Sequence, residues 1–179
     1  MSTKEPRQVV RESTPGDFAA IESLYPEAFP DEDLLPVVRA LLRDPTIGLS
    51  LVATVGSHVA AHVFFTNCEV DGSDIKTALL APLAVAPEYQ RQGVGTAITR
   101  DGLQRLHGAG VQLICVLGDP AYYSRLGFEE EALVEPPYPL PAEWAGAWQS
   151  QYLGEVATGC SGKLSVPPHW QHRELWAPA

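Results

Sequence analysis

Residues Leu83–Thr96 read LAVAPEYQRQGVGT. An apolar run stops at Pro87, Gly93 and Gly95 follow, and apolar residues then recur at helical spacing. A glycine pair at a helix start suits an anion. The missing Cβ lets backbone come close, and the free first-turn N–H groups and the helix dipole favour negative charge. Several phosphates fit that description. A P-loop needs Gly-x4-Gly-Lys-Ser/Thr, and no lysine follows either glycine. A dinucleotide fingerprint needs a third glycine where Ile98 stands and an acidic residue about 20 positions on, and neither is present. A helix start that happens to hold two glycines remains open on this stretch alone.

The neighbouring segments give the pattern its setting. Arg7–Ser13 is a short extended candidate. A helix follows with Thr14 as N-cap and Pro15 first, its apolar stripe on Phe18, Ile21 and Leu24 or Tyr25. A second helix is expected over 32–43, ended by Asp44-Pro45. Leu49–Val55, the turn Gly56-Ser57 and His58–Val70 read as a hairpin, and Ile75–Val85 as a third strand. Pro82 cannot donate a ladder hydrogen bond, so it predicts an edge or a bulge. After the helix over 93–107, Val111–Leu117 is the near-continuous apolar run of a strand buried on both faces. Asp119 then caps a short helix that Gly127 ends, the proline-rich 135–144 is irregular, and WQSQYLGEV and GKLSVPP predict two late strands. A meander followed by strand, helix, strand predicts a mixed α/β (α+β) sheet rather than a doubly wound one.

Bulk properties narrow the function. The chain has 179 residues and a net charge of -10, which argues against a nucleic-acid footprint. Cys68, Cys115 and Cys160 are odd in number and widely spaced, so neither a disulfide framework nor a zinc pattern is expected, and no metal is predicted. Neither a signal-peptide pattern nor an apolar run of membrane-spanning length occurs, so the expectation is a cytoplasmic protein with no membrane partner.

Two motifs together decide the family expectation. Gln90-Arg91-Gln92-Gly93-Val94-Gly95 matches Arg/Gln-x-x-Gly-x-Gly/Ala directly after LAV-x-P, and Tyr123-Ser124-Arg125-Leu126-Gly127-Phe128 matches Tyr-x-x-x-Gly-Phe after the next strand. The chain thereby resembles the GNAT superfamily of acyl-CoA-dependent N-acetyltransferases, and within it an uncharacterised bacterial branch. The resemblance covers about residues 5–130 well and 131–179 loosely. It implies one N-acetyltransferase domain over 1–179, with core motifs in 5–130 and an acceptor-side or interface tail in 131–179. It implies a mostly antiparallel sheet of about 6–7 strands with a splayed parallel pair in the middle, flanked by about four helices. It also implies acetyl-CoA as cosubstrate, a small-molecule or peptide amine as acceptor, and a monomer or homodimer. A catalytically silent acyl-CoA sensor on the same fold is the alternative.

Site residues follow from the resemblance. Leu83, Ala84 and Val85 are implied as backbone partners of pantetheine, with the Leu83 N–H polarising the thioester. Gln90, Arg91, Gln92, Gly93, Val94, Gly95 and Thr96 are implied around the pyrophosphate. Tyr123 is implied as the acid that protonates the departing thiolate and as a contact of the cosubstrate. A phenol near pKa 10 holds its proton at pH 7 and suits that task. For the acceptor side the candidates are Tyr25, Phe29, Glu32, His62 and Trp148, with Trp144 and Tyr152 beside them. His62, Glu69 and Glu32 are the side chains considered as base, a water chain being the alternative.

Overall fold

The computed structural model describes residues 5–156 and 159–177. In chain order the elements are β1 (Gln8–Glu12), α1 (Phe18–Ala28), α2 (Leu35–Leu42), β2 (Gly48–Val55), β3 (His58–Val70), β4 (Thr77–Val85), α3 (Val94–Gly108), β5 (Leu113–Leu117), α4 (Pro120–Tyr123), β6 (Glu129–Glu130), β7 (Val134–Glu135), β8 (Trp148–Tyr152) and β9 (Gly162–Ser165). The hydrogen-bonded strand order is β1-β2-β3-β4-β5-β8-β6, with β9 pairing β3 and β7. Pairings β1/β2, β3/β9, β5/β8 and β6/β8 are antiparallel, while β4/β5 and β7/β9 are parallel.

The chain forms two compact units, Met1–Phe64 with Pro82–Gly102, and Phe65–Ala81 with Leu103–Ala179. In the first, Gln8–Glu12 run antiparallel against Val55–Leu51. Helices α1 and α2 bury Ile21, Leu24, Tyr25, Val38 and Leu42 in one cluster with Val52, Ala84 and Ala86. The entry to α1 is tied electrostatically. Arg11 donates to both carboxylate oxygens of Asp17 at 2.8 and 2.9 Å, and the Thr14 N–H donates to the same carboxylate at 2.8 Å. In the second unit, Thr77–Leu79 pair with Leu113–Cys115, and Leu113–Leu117 pair with Tyr152–Trp148. Leu113–Val116 are buried, as their apolar run predicts for a strand covered on both faces. The tail closes on tryptophans. Trp170 Nε1 donates to Thr66 Oγ1 at 3.0 Å, and Trp176 Nε1 donates to the Trp170 carbonyl at 2.9 Å.

Three expectations are corrected. The second helix begins at Leu35 rather than at residue 32, because Pro36 belongs in a first helical turn, where its missing N–H costs nothing. Pro15–Asp17 form a 3-10 turn that precedes α1 instead of its first α-helical turn. Of the edge and the bulge expected at Pro82, the edge is excluded, since β4 lies between β3 and β5. Its missing donor is tolerated because the β4/β5 ladder ends at Leu79, three residues earlier. Among the described residues nine strands form, the seven longer ones matching the expected six or seven. The additional ones, β6 and β7, have two residues each, too short for any alternation to register in sequence. The three thiols are buried and free, and no helix among the described residues is long and apolar enough to cross a membrane.

Candidate active site

In the first unit, β4 runs past the end of its ladder with β5 to Val85. The Ala86 N–H donates to the Ala60 carbonyl at 2.8 Å, and a 3-10 turn over Pro87–Tyr89 leads into the glycine loop. Two amide side chains brace that loop from within. Gln90 Nε2 donates to the Val85 carbonyl at 3.0 Å, and Gln92 Nε2 donates to the Glu88 carbonyl at 2.8 Å. Gln90 and Gln92 therefore hold backbone in place, and the sequence offered no sign of this. Arg91 has φ 61°, alone in that region among the described non-glycine residues, and Gly93 has φ 81°. Left-handed backbone at a non-glycine residue costs about 1–3 kcal/mol and persists where its surroundings impose it. The Gly93 carbonyl accepts from the Ala97 N–H at 3.0 Å, so α3 starts there. The N–H groups of Val94, Gly95 and Thr96 lie in its first turn, where the helix itself supplies no acceptor. Arg91, Gln92 and Gly93 are exposed, and a Cβ built on Gly93 would meet no atom within 4 Å. First-turn N–H groups at a helix N-terminus, open space at Gly93 and an exposed Arg91 are features that suit an anion.

In the second unit, Asp119 caps α4 by accepting from the Ala121 N–H at 2.9 Å. Tyr123 is buried, its ring edge-on to Tyr122 (5.0 Å between centroids) and to Phe128 (5.6 Å). The Phe128 N–H donates to the Tyr123 carbonyl at 3.2 Å, so the chain folds back after Gly127 as its motif predicts. Burial pushes the Tyr123 phenol well up, with the neighbouring Tyr122 adding to it, and its proton is held throughout the neutral range. No hydrogen bond of the Tyr123 hydroxyl occurs among the described residues, whereas the Tyr122 hydroxyl is buried and unbonded. Gly118 is a residue that sequence reasoning missed. A Cβ there would overlap Tyr123 Cε2 and stand 3.0 Å from Cδ2, so the phenol ring lies flush on the Gly118 backbone. The signal available in the sequence was only a glycine ending an apolar strand.

The remaining candidates separate clearly. His62 is buried, and burial pulls its imidazole down to about 3. Its Nδ1 lies 2.7 Å from the Tyr25 hydroxyl and its Nε2 lies 2.9 Å from Ser50 Oγ. Both ring nitrogens are occupied and the charged form is disfavoured, so His62 is a neutral bridging residue and does not serve as a terminal base. Ser50 and its partner Ser13 (2.7 Å between hydroxyls) were not singled out from sequence. Tyr25 is buried and stacks on Phe29 at 6.2 Å. Phe29 and exposed Glu32 line a shallow cleft of about 310 Å³ together with Asp31 and Asp33. Glu69 is exposed. Trp148 sits in the core of the second unit, its Nε1 donating to the Val134 carbonyl at 2.8 Å and its ring edge-on to Trp176. That packing removes it from an acceptor pocket. Tyr152 accepts from the Cys160 N–H at 2.9 Å, and Trp144 is half-buried in a 3-10 segment. No cluster of three or more metal-ligating side chains occurs among the described residues.

A mostly antiparallel mixed sheet with the parallel pair β4/β5, a glycine loop at the head of α3 and a buried tyrosine after β5 are the features of an acyltransferase-type fold. Residues 9–130 match the family model described as "Acetyltransferase (GNAT) domain". The chain is 32% identical over 167 residues to YhbS, an uncharacterised N-acetyltransferase of Escherichia coli, covering 90% of this chain and 98% of that protein. It is 35% identical over 144 residues to YjhQ, another from the same organism, covering 76% and 80%. The crystal structure of the Escherichia coli YhbS in complex with CoA superposes with TM-score 0.86 at 30% identity, covering 96% of each chain. A GNAT family acetyltransferase from Brucella melitensis in complex with acetyl-CoA gives 0.74 at 26%, covering 92% and 99%. The chain belongs to the GNAT acetyltransferase family and is an acyl-CoA-dependent N-acyltransferase.

Proposed function

We propose that this chain, acting as one N-acetyltransferase domain in the cytoplasm, moves the acetyl group of acetyl-CoA directly to a primary amine of a small molecule or peptide. The observation that carries this reading is the strained, exposed loop from Arg91 to Gly93 feeding the first-turn N–H groups of α3. The relatives solved with CoA and acetyl-CoA support it. In this reading the N–H groups of Val94, Gly95 and Thr96 receive the pyrophosphate, Arg91 supplies a cation beside it, and Gln90 and Gln92 hold the loop in shape. Leu83, Ala84 and Val85 offer strand backbone to pantetheine, and the Leu83 N–H polarises the thioester carbonyl.

Transfer requires a neutral amine, and a free alkylamine has a pKa of about 10.4, so its proton must leave before attack. With His62 neutral and committed on both nitrogens, and Glu32 and Glu69 exposed, water carries that proton away. The amine nitrogen then bonds to the acetyl carbon, and the thioester carbon–sulfur bond breaks. Tyr123, holding its proton, gives it to the departing thiolate and recovers one from solvent. The exposed acidic run Asp31–Asp33 at one cleft favours a cationic amine in solution.

The test is thiol release from acetyl-CoA across a panel of small amines and peptide N-termini, with coenzyme A binding followed separately by calorimetry. Micromolar coenzyme A binding and amine-dependent thiol release are expected. Absence of coenzyme A binding would overturn the assignment of the loop, and binding with no turnover on any amine would overturn the transfer.

A further inference from the structure

One feature of the first unit without a role so far is a cleft of about 570 Å³ where the start of α1, the end of α2 and the start of β2 meet. That size is within the roughly 300–1,000 Å³ range of small-molecule sites. Phe18, Leu42, Leu49 and Phe64 give it an apolar wall, while Glu12, Arg43, Ser13 and Ser50 bring polar atoms to it. Glu12 and Arg43 are exposed and line the same cleft, and their side-chain charges form no ion pair with each other or with another described residue.

From buried Tyr25 and His62 a chain of hydrogen bonds runs out to the serines: Tyr25 hydroxyl, His62 Nδ1, His62 Nε2, Ser50 Oγ, Ser13 Oγ, with links of 2.7, 2.9 and 2.7 Å. Its direction follows from counting protons. The Tyr25 hydroxyl has no partner but His62 among the described residues, so its proton goes to Nδ1; the reverse arrangement would leave a buried O–H unsatisfied. His62 is then the Nε2–H tautomer and donates to Ser50. The two serine hydroxyls hold two protons, and the bond between them uses one. Whichever serine donates, one O–H remains, and both serines line the cleft. A chain of this kind strengthens its terminal donor.

We propose that this cleft is a binding site for a small apolar α-amino acid. The serine O–H and Arg43 receive its carboxylate, Glu12 receives its ammonium, and the apolar wall takes its side chain. The carboxylate gains a fixed donor that Tyr25 and His62 hold in orientation, and the zwitterion satisfies both unpaired charges of the cleft.

The test is calorimetry on the full chain without acetyl-CoA, so that the outcome is independent of the transferase reaction. The ligands are leucine, 4-methylpentanoate, which lacks the ammonium, and 3-methylbutylamine, which lacks the carboxylate. Leucine is expected to bind at least tenfold more tightly than either analogue. Glu12→Gln should weaken leucine about tenfold and leave 4-methylpentanoate unchanged, while Arg43→Gln should weaken both. Tyr25→Phe should weaken leucine severalfold, a loss that a purely structural tyrosine would not produce. Glu12 and Arg43 are exposed, so these two variants test the site even where Tyr25→Phe fails to fold. No heat from leucine at millimolar concentration, or affinity indifferent to both Glu12→Gln and Arg43→Gln, overturns the proposal.

Discussion

Replacing Gly118 by alanine puts one methyl group where the ring of Tyr123 already lies. The added Cβ would overlap Cε2, stand 3.0 Å from Cδ2 and 3.5 Å from Cζ. The ring is boxed in by Tyr122 and Phe128, and the Gly118 backbone is tied by its N–H to the Ala147 carbonyl at 3.0 Å and by its carbonyl to Gln149 Nε2 at 3.2 Å. The phenol must therefore move by an amount comparable to the overlap, roughly 1 Å. Overpacking of this kind costs about 1–3 kcal/mol, or roughly 2–12 °C in melting temperature for a chain of this size. A displacement of about 1 Å in a reacting group costs about a hundredfold in rate. Thiol release at saturating acetyl-CoA and amine should therefore fall about a hundredfold in Gly118→Ala, while coenzyme A binding changes much less. The sharper assay is a double-mutant cycle with Tyr123→Phe, which keeps the ring and removes the hydroxyl that the proposed mechanism uses as acid. If Gly118 acts by placing the hydroxyl, adding Gly118→Ala to Tyr123→Phe produces no further loss of turnover. An equal loss in both backgrounds, or turnover unchanged in Gly118→Ala alone, would refute the reasoning.

Further expectations concern the loop, the pH dependence of stability and the thiols. Gly93→Val should abolish coenzyme A binding by calorimetry and lower stability by about 1–3 kcal/mol, because φ 81° disfavours a β-branched residue although its Cβ meets open space; retained affinity would remove the loop from the site. The Arg11 guanidinium beside Asp17 holds that carboxyl down to about 2 from 3.8. The pair's contribution is therefore complete above about pH 5 and lost as pH falls through 3.8 towards 2. With Arg11 partly exposed it amounts to about 1–2 kcal/mol, and urea unfolding of Asp17→Asn between pH 7 and pH 3 should show a correspondingly smaller loss. Burial pushes the Cys68 thiol up to about 12 and Cys115 well above its usual range, and Cys160 is buried too. A thiol reagent at pH 8 should label none of the three rapidly in the native protein and all three in denaturant; a fast native thiol would contradict the packing.

Much of the fold was legible because its signals are local. Capping and turn residues, the period of the apolar pattern and a few backbone-constraining residues act within a handful of positions. Thr14 ahead of the first helix, Gly56-Ser57 between β2 and β3, and Asp119-Pro120 at α4 each announced their element. The two motifs, Gln90–Gly95 and Tyr123–Phe128, carried the family because each combines such a local constraint with the chemistry it serves. The tertiary structure decided what depends on partners distant in sequence. Whether Pro82 sits at an edge depends on β5, about 30 residues later. Whether Trp148 lines a pocket or fills the core depends on Val134 and Trp176. His62 reads in sequence as a histidine in an apolar run, and only Tyr25 and Ser50, brought to its two nitrogens by packing, make it a neutral bridge. Gly118 is an ordinary strand-ending glycine until α4 lays a phenol on it. The sequence alone pointed to the class of donor, because the motif that carries it is a contiguous stretch, Gln90–Gly95. The acceptor-side candidates are side chains from separate elements, so their burial and partners, on which each assignment rests, exist only in the folded chain.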